Sequence, residues 1–298
     1  MHPDEHVLTY HDDPRRFREA LSYSASVAGF SARLIEKDYY CSMILRDFEN
    51  VSVQELVFKG GTCLAKVHAD FYRLSEDLDF AIPAAADATR GARRRKVTPL
   101  KEHFAGLSER LPCLRAVEEF SGHNQNRQYI GQCCYRSLVT GQDEFVKVEV
   151  SLRELILEPV EQRPANTVLI DPYRGLPVIQ PILLDVLSVR EAYAEKLRAA
   201  LTRREPAIRD FYDVHHATRM GILDPFEDDL LQLVRRKLAV PDCEPVDASR
   251  EKLRHLSMQL QSQLEPVLRV ADYDSFDLPQ AFAVVARVAD AVQERDAP

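Results

Sequence analysis

The chain has 298 residues, 45% of them hydrophobic, which is enough for one large domain or two modest domains with separate cores. Its formal net charge of −8 excludes a generic nucleic-acid coat, so a nucleic-acid substrate would need a local basic patch. No apolar run approaches the length of a membrane span, and the amino terminus does not resemble a secretory signal. We therefore expect a cytoplasmic protein without membrane association. Six scattered cysteines without a Cys-x-x-Cys pair predict reduced thiols rather than disulfides or structural zinc.

Two helices are predicted in the first part of the chain. The first begins at Pro14 and is broken at Ala28-Gly29. The second runs from about Ser31 to Phe48, with apolar residues at helical spacing and Ser31 as its N-cap. Lys37, within this second helix, is predicted either to contact a ligand or to pair with a nearby carboxylate.

The stretch from Leu56 to Phe80 contains a strand, a Gly60-Gly61 turn, a helical run from Thr62 to Tyr72 and a second strand from Asp77. Paired glycines let the backbone pass close to a ligand, because no Cβ atom stands in the way. The free amides of a helix start can then face a phosphate, and the helix dipole favours negative charge there. This order of elements predicts a turn that cradles phosphate groups.

Two carboxylates close this stretch. In an extended segment Asp77 and Asp79 point to one face, while Leu78 and Phe80 point to the other. Clustered carboxylates repel each other unless a cation lies between them, and Mg²⁺ prefers carboxylate and phosphate oxygens. We therefore predict metal-assisted phosphoryl or nucleotidyl transfer. The alternative for an isolated Asp-x-Asp is a solvated strand end.

The ordered combination resembles the AbiEii-type nucleotidyltransferases, which are toxins of type IV toxin–antitoxin systems in the DNA polymerase β-like superfamily. The matching pieces are Phe58-Lys59-Gly60-Gly61-Thr62-x-Leu64-x-Lys66 and Arg73-x-Ser75-x-Asp77-Leu78-Asp79-Phe80. The resemblance implies that Mg²⁺ or Mn²⁺ on the two aspartates bridges an NTP substrate. It also implies the residues that bind the nucleotide: Gly60, Gly61 and Thr62 as the phosphate cradle, and Lys66, Arg73 and Ser75 as contacts to the triphosphate or to the loop.

A dense basic run follows the second strand. Five positive charges fall within seven residues, namely Arg90, Arg93, Arg94, Arg95 and Lys96. Such a run can guide the phosphate backbone of a polynucleotide. The alternative is a solvated helix face, and the sequence leaves both open.

Three further strands are predicted at Leu114–Phe120, Tyr129–Arg136 and Phe145–Val150. The last alternates cleanly, so its valines face one way and Lys147 and Glu149 face the other. The polymerase β-like resemblance implies a third carboxylate from a neighbouring strand, and Glu149 is the candidate metal ligand or base. The alternative is a solvated glutamate, because an exposed glutamate on a strand often only faces water. This position also departs from the family, which commonly has aspartate there.

The proline-rich segment from Glu158 to Pro181 is predicted to end the sheet. Two short strand-like pieces lie in it, Val168–Ile170 and Val178-Ile179. From Ile182 onward the chain is predicted to be helical.

Two helical motifs match the same family in order and approximate spacing. Glu195-Lys196 lies in a helix predicted from Leu187 to Thr202, and Arg209-Asp210-x-x-Asp213 lies in one that Pro206 can start. Lys196 would place a charge on the triphosphate. Asp210 would orient that lysine or hold the acceptor, whereas Asp213 and Arg209 can instead form a helix-stabilising pair.

These observations predict an α+β protein with a polymerase β-like nucleotidyltransferase core and a mixed sheet in residues 1–180. An α-helical domain in residues 181–298 is predicted to complete the active-site cleft. The predicted reaction moves a nucleoside monophosphate from an NTP to an acceptor hydroxyl and releases pyrophosphate. The resemblance implies the 3′ end of tRNA as acceptor, arrest of translation and growth, a separately encoded antitoxin and a protein that is monomeric when free. The predicted catalytic residues are Asp77, Asp79, Glu149, Lys196 and Asp210.

Three alternatives remain open from the sequence. The first keeps the chemistry but transfers the nucleotide to a protein hydroxyl or a small molecule. The second is a catalytically silent module that binds a nucleotide or a partner. The third is a metal-dependent nuclease, which would shorten RNA where a transferase lengthens it.

Overall fold

The computed structural model describes residues 10–49, 51, 53, 55–240 and 243–294. They fall into two compact units. The first runs to Ile156 and resumes from Val160 to Leu187, and the second contains Leu157–Pro159 and the chain from Ser188 onward. Parts of the predicted domains, residues 1–9 and 295–298, lie outside the described residues. The first unit extends past the predicted limit at residue 180 because a strand beyond it belongs to the sheet.

The first unit combines helices with a seven-stranded mixed sheet, so the predicted α+β class is confirmed. Its helices are α1 (Pro14–Ala28), α2 (Ala32–Glu49), α3 (Gly60–Cys63), α4 (Arg90–Ala105) and α5 (Leu107–Arg110). Its strands are β1 (Val57–Lys59), β2 (Leu78–Ala81), β3 (Arg115–His123), β4 (Gln128–Arg136), β5 (Asp143–Ser151), β6 (Glu161–Ala165) and β7 (Ile182–Val186).

Strand β2 lies at the centre of the sheet, whose strand order is β3-β4-β5-β2-β1-β7-β6. It pairs antiparallel with β1 and parallel with β5, while β1 pairs parallel with β7. The three strands that carry predicted site residues in this unit are therefore direct neighbours. Phe58 on β1 and Leu78 and Phe80 on β2 are buried, whereas Asp79, on the other face of β2, is only partly buried.

The predicted end of the sheet is wrong. Residues 168–170 and 178–179 form no strand; their region holds only the isolated bridge between Ile170 and Pro177. The segment from Ile182 is not helical, because Ile182–Val186 is strand β7. Its side chains alternate between buried and exposed, as a half-covered strand requires. This period-two pattern was hidden because it directly follows the proline-rich segment.

Helices α1 and α2 have the predicted bounds. Asp13 caps α1 by accepting hydrogen bonds from the amides of Arg15 and Arg16, and Gly29 ends it with a φ of 75°. Helix α2 is buried over most of its length, including the charged residues Glu36, Lys37 and Asp38. One of these, Glu36, accepts a hydrogen bond from the Leu138 amide at 2.6 Å and so fixes the β4–β5 turn. All six cysteines are free thiols.

The second unit is helical, as predicted. Its helices are α6 (Val189–Thr202), α7 (Ile208–Arg219), α8 (Asp228–Leu238), α9 (Arg250–Ser257), α10 (Val270–Asp274) and α11 (Leu278–Glu294). Helix α9 ends at Ser257, and a π-helical turn covers Leu260–Leu264. Helix α6 packs against α7 and α8, and α11 packs against α7. Within the described residues, no helix is both long and apolar enough to cross a membrane.

Candidate active site

The glycine pair opens a helix rather than a free turn. Strand β1 ends at Lys59, and α3 starts at once with Gly60, which has a φ of 77°. A π-helical turn continues it over Leu64–His68, so the helical run ends four residues before the predicted Tyr72. Glycine is needed at the first position because other L-residues rarely adopt this backbone conformation.

Both glycines also make room for side chains of the site. A Cβ atom on Gly60 would overlap the Asp79 carboxylate and lie 2.8 Å from the Asp79 Cβ atom. A Cβ atom on Gly61 would lie 2.5 Å from Nη2 of Arg73 and 3.2 Å from Oγ of Ser75. The sequence pattern predicted close approach of a ligand to this pair. In the structure the close approach is made by Asp79 and Arg73.

The other predicted nucleotide contacts hold the chain around these glycines. The Thr62 hydroxyl donates a hydrogen bond to the carbonyl of Asp77. Arg73 is buried, and its Nη1 donates to the Leu74 carbonyl at 3.1 Å. These contacts correspond to the loop-contact alternative for Arg73, which the sequence left open, while a phosphate contact stays a prediction.

Lys66 is placed deep in the first unit. Its ammonium group lies 2.5 Å from Oδ1 of Asp38 and donates to Oγ of Ser42 at 2.8 Å and to the Asn166 carbonyl at 3.3 Å. Only 1% of its side chain is exposed. In this arrangement its charge is balanced inside the protein, so any contact with a triphosphate stays a prediction.

The segment before β2 is tied to helix α2. Lys37 Nζ lies 3.3 Å from Oε1 of Glu76, and Arg33 Nη1 lies 3.2 Å from the same oxygen. Arg33 also forms a two-pronged pair with Glu144 at 2.7 and 2.8 Å. Lys37 was predicted either to contact a ligand or to pair with a nearby carboxylate, and in the structure it pairs with Glu76. These contacts hold the residue next to Asp77 and thereby position the carboxylate that follows.

Three carboxylates meet on one face of the sheet. Asp79 on β2 is in direct register with Glu149 on the parallel strand β5, and Asp77 immediately precedes β2. Leu78 and Phe80 are buried on the opposite face, as predicted. The Asp77 side chain is 46% exposed and that of Glu149 is 24% exposed, so both can reach a ligand from solution.

One lysine lies among these acids. Lys147 Nζ lies 3.4 Å from Oε2 of Glu149 and 3.7 Å from Oδ2 of Asp77. Burial alone would lower the pKa of Lys147, but the negative charges of Asp77 and Glu149 outweigh it, and the pKa is raised. The lysine is therefore charged, and it offsets part of the negative charge of the group.

Asp79 lies in the negative charge that Lys147 leaves unneutralised. Burial raises its pKa to about 6, and the charge of Glu149 adds to the shift, while Lys59 and Lys147 oppose it. A carboxylate with a raised pKa gains from a cation that neutralises it. The group of Asp77, Asp79, Glu149 and Lys147, here called the sheet cluster, is thus short of positive charge.

The donor chemistry of the sheet cluster fits a divalent cation. Carboxylate oxygens are the ligands that Mg²⁺ and Mn²⁺ prefer, and the under-compensated charge at Asp79 favours cation entry. As the side chains stand across the described ranges, no three His, Cys, Asp or Glu residues are arranged to enclose a metal ion. Lys147 bridges two of the three carboxylates.

The helical motifs of the second unit form a separate cluster. Lys196 Nζ lies 2.8 Å from Oδ1 of Asp210 and 2.8 Å from Oδ2 of Asp213. Arg203 Nε lies 3.3 Å from the second oxygen of Asp210. Both aspartates are buried, and we call these four residues the helix cluster. The predicted contact between Asp210 and Lys196 is present, whereas the alternative pairing of Asp213 with Arg209 is replaced by its contact with Lys196.

Helix α6 is held in place by a buried lysine of helix α8. The buried ammonium of Lys237 on α8 lies 2.7 Å from Oε1 of Glu191 and 3.1 Å from Oε1 of Glu195. Glu191 also accepts hydrogen bonds from the amides of Leu157 and Glu158 at 2.8–3.0 Å. This network fixes the helix that carries Lys196. The sequence alone does not reveal this network, because Lys237 lies in the basic run Arg235-Arg236-Lys237, a pattern typical of a solvated helix face.

Some side chains of the basic run on α4 bind backbone carbonyls, and the others face solvent. Arg93 is buried and donates to the carbonyls of Leu152, Ala85 and Ala86, and Lys96 donates to the Pro83 carbonyl. The side chains of the other three, Arg90, Arg94 and Arg95, are exposed to solvent. Only part of the run is thus available to a polynucleotide.

Comparison with known proteins adds a family and a fold. The sequence profile described as "Nucleotidyl transferase AbiEii toxin, Type IV TA system" matches residues 44–288. The chain is similar to the crystal structure of JHP933 from Helicobacter pylori, with 15% identity, a TM-score of 0.52 and coverage of 89% of this chain and 94% of that chain. A second H. pylori structure, provisionally named a nucleotidyltransferase, gives 15% identity, a TM-score of 0.52 and coverage of 89% and 97%. No curated protein matches.

Proposed function

Because the chain belongs to the AbiEii family of nucleotidyltransferase toxins of type IV toxin–antitoxin systems, we propose that it transfers a nucleoside monophosphate from an NTP to the 3′ end of tRNA. The transfer joins the α-phosphate to the terminal hydroxyl and releases pyrophosphate. A tRNA extended in this way cannot be aminoacylated, so translation and growth stop. The cytoplasm supplies both substrates, and a separately encoded antitoxin protects the host.

The observation that carries the chemistry is the register of Asp79 beside Glu149, with Asp77 next to them. These three carboxylates would hold Mg²⁺ or Mn²⁺, which supplies positive charge to the triphosphate and polarises the phosphorus under attack. The family uses a divalent metal and an NTP in general, and the donor set of the sheet cluster suits that pair.

Proton transfer falls to an oxygen of these carboxylates that does not ligate the metal. Glu149 or Asp79 would use such an oxygen to accept the proton of the acceptor hydroxyl. The amides at the start of α3, from Gly60 to Thr62, would receive phosphate oxygens. Lys196 would add a positive charge for the phosphate chain, and Asp210 would orient it.

Exposed arginines support a polynucleotide acceptor. Arg90, Arg94 and Arg95 lie at solvent-facing positions of α4, in a protein whose overall charge is −8. Within the described part of the chain, none of the three forms an ion pair. A local cluster of unneutralised arginines attracts phosphate backbones even on an acidic protein.

The test is a transfer assay with purified protein, total tRNA, Mg²⁺ and each labelled NTP in turn, resolved on a sequencing gel. We expect labelled tRNA that is longer by one or a few nucleotides, and no label after chelation of the metal. A parallel reaction with Asp77→Asn serves as the inactive control.

Each alternative has its own outcome in the same assay. Label in the protein or small-molecule fraction would establish a different acceptor. Shortened RNA would establish a nuclease. If no fraction is labelled and Asp77→Asn still inhibits growth, the chain is a silent binding module and the proposed function is wrong.

A further inference from the structure

Lys147 stands out because its ammonium group lies between two of the acids that would hold a metal ion. It lies two residues before Glu149 on β5, so both side chains project from the same face. Its ammonium group lies 3.4 Å from Glu149 and 3.7 Å from Asp77, on two different strands or strand ends. The side chain is 37% exposed, which leaves the flexible stem free to move.

This lysine differs from the other lysines with carboxylate partners near the motif. The Lys66 ammonium is buried, and three hydrogen bonds fix it in place. Lys37 is nearly buried, with 9% of its side chain exposed, beside Glu76. The contacts of Lys147 are longer, at 3.4 and 3.7 Å, and it is the most exposed of the three. Long contacts to half-exposed partners make an interaction that is easily exchanged.

We propose that Lys147 is an exchangeable counter-ion of the sheet cluster: it holds the carboxylates together in the metal-free protein and contacts the triphosphate once a divalent cation takes them. Only the contact between Lys147 and the triphosphate rests on the proposed function; the counter-ion role does not. An ammonium group and a divalent cation compete for the same oxygens, so metal binding must release Lys147. The released charge is repelled by the cation and attracted by the nearest anion, which is the phosphate chain.

Two consequences follow from this exchange. Removing the ammonium should make metal binding tighter, because the internal competitor is gone. It should also weaken NTP binding, because one phosphate contact is lost. A lysine with a purely structural role would produce neither tighter metal binding nor a selective change in KM.

The first experiment titrates Mn²⁺ into the nucleotide-free protein and follows binding by calorimetry or by the loss of free Mn²⁺ signal in electron paramagnetic resonance. For Lys147→Met we expect Mn²⁺ to bind about tenfold more tightly, the scale of one removed charge near a partly exposed site. Lys147→Arg keeps the charge and should bind Mn²⁺ as the unaltered protein does. Lys101→Met, on α4 and half-buried over the Tyr129 ring, is the matched control and should change nothing.

The second experiment measures transfer kinetics with saturating tRNA and Mg²⁺. We expect Lys147→Met to raise KM for the NTP about tenfold with a smaller change in kcat, and Lys147→Arg to restore much of the loss. If Lys147→Met does not fold, Lys147→Gln, which keeps the polar stem, replaces it in both experiments.

The outcomes separate the two proposals. If the unaltered protein transfers no nucleotide, the proposed function fails while the Mn²⁺ titration still tests the counter-ion. If it transfers nucleotide but removal of the Lys147 charge leaves Mn²⁺ affinity unchanged or lower, the counter-ion inference is overturned. An unchanged KM for the NTP would overturn the phosphate contact.

Discussion

The sheet cluster and the helix cluster contain similar residues in opposite states. The helix cluster sets two buried aspartates against Lys196 and Arg203, so its formal charges cancel. The sheet cluster sets three carboxylates against Lys147, with Lys59 also acting on Asp79. Its Asp77 side chain is exposed to solvent. One cluster is balanced within the fold, whereas the other still lacks positive charge.

This difference indicates where a ligand is needed. A buried ion-pair group that is complete holds the protein together and loses stability when one partner is removed. A carboxylate group that is incomplete gains free energy from an external cation. We therefore expect substitutions in the sheet cluster to change activity more than stability, and those in the helix cluster to change stability first.

The largest effect is expected for Asp79→Asn. Transfer should fall about 1,000-fold, the scale of losing one strong electrostatic contact in the transition state. The metal-free protein should be as stable as before or more stable at neutral pH, because a carboxylate whose pKa is raised destabilises the fold when ionised. Transfer assays and thermal unfolding measure the two effects. Asp87→Asn, at an exposed loop position, is the control. If Asp79→Asn lost stability but kept its activity, the sheet cluster would be structural, contrary to the comparison made above.

Lys196→Met tests the helix cluster. It leaves two buried aspartates without their cation, so we expect a loss of about 3 kcal/mol in the free energy of unfolding. Denaturant unfolding measures this loss, with Arg204→Met at an exposed position as the control. Activity per folded molecule should then be measured separately. If Lys196→Met were as stable as the unaltered protein but inactive, Lys196 would act in the reaction and not in stabilising the fold.

Gly60→Ala and Gly141→Ala form a matched pair. Both positions have positive φ values, 77° and 66°, so both substitutions carry the same kind of backbone strain. A Cβ atom at Gly60 meets Asp79, whereas one at Gly141 meets no atom within 4 Å. We expect Gly141→Ala to lose about 1 kcal/mol of stability with unchanged activity. Gly60→Ala should also lose about 30-fold in transfer, since a displaced carboxylate costs orders of magnitude in rate. Equal activities in the two variants would contradict the role of Gly60 in placing Asp79.

The sheet cluster should also appear in the pH dependence of metal-free stability. Because the folded-state pKa of Asp79 is raised to about 6, the folded protein binds a proton more readily than the unfolded chain does. Its contribution to stability is therefore present below the ordinary aspartate range and is lost as the pH rises through about 6. We expect unfolding free energy to decline over this interval in the unaltered protein relative to Asp79→Asn. Parallel curves for the two proteins would show that Asp79 titrates normally.

The smallest effect concerns the exposed arginines. Arg94→Ser with Arg95→Ser should weaken tRNA binding about fivefold and reduce its salt dependence, because two phosphate contacts are lost. Filter binding at several salt concentrations measures both. Arg204→Ser with Arg250→Ser, at exposed positions of the second unit, removes the same charge elsewhere. If both pairs of substitutions weaken tRNA binding equally, the loss comes from the change in net charge and not from a binding site on α4.

Local patterns in the sequence were sufficient for most elements and for the acids. The alternation of β5 predicted which side of the strand carries Glu149, and its valines are fully buried. The spacing of Asp77 and Asp79 likewise predicted a shared face. These features depend on two-residue and helical periods, which neighbouring residues determine. The strand Ile182–Val186 also alternates, but it was missed because it directly follows the proline-rich segment. Its pairing with β1, which joins residues more than a hundred positions apart, is not visible in any local pattern.

Short ordered motifs were enough to predict the family, the α+β class and the residue types of the proposed cation site. Which charges are balanced could be seen only in the folded protein. Lys66 and Lys196 are matched by buried acids, while Asp79 is left beside Glu149. Such pairings join residues far apart in the chain, and the strength of each depends on burial and distance, which no local pattern encodes.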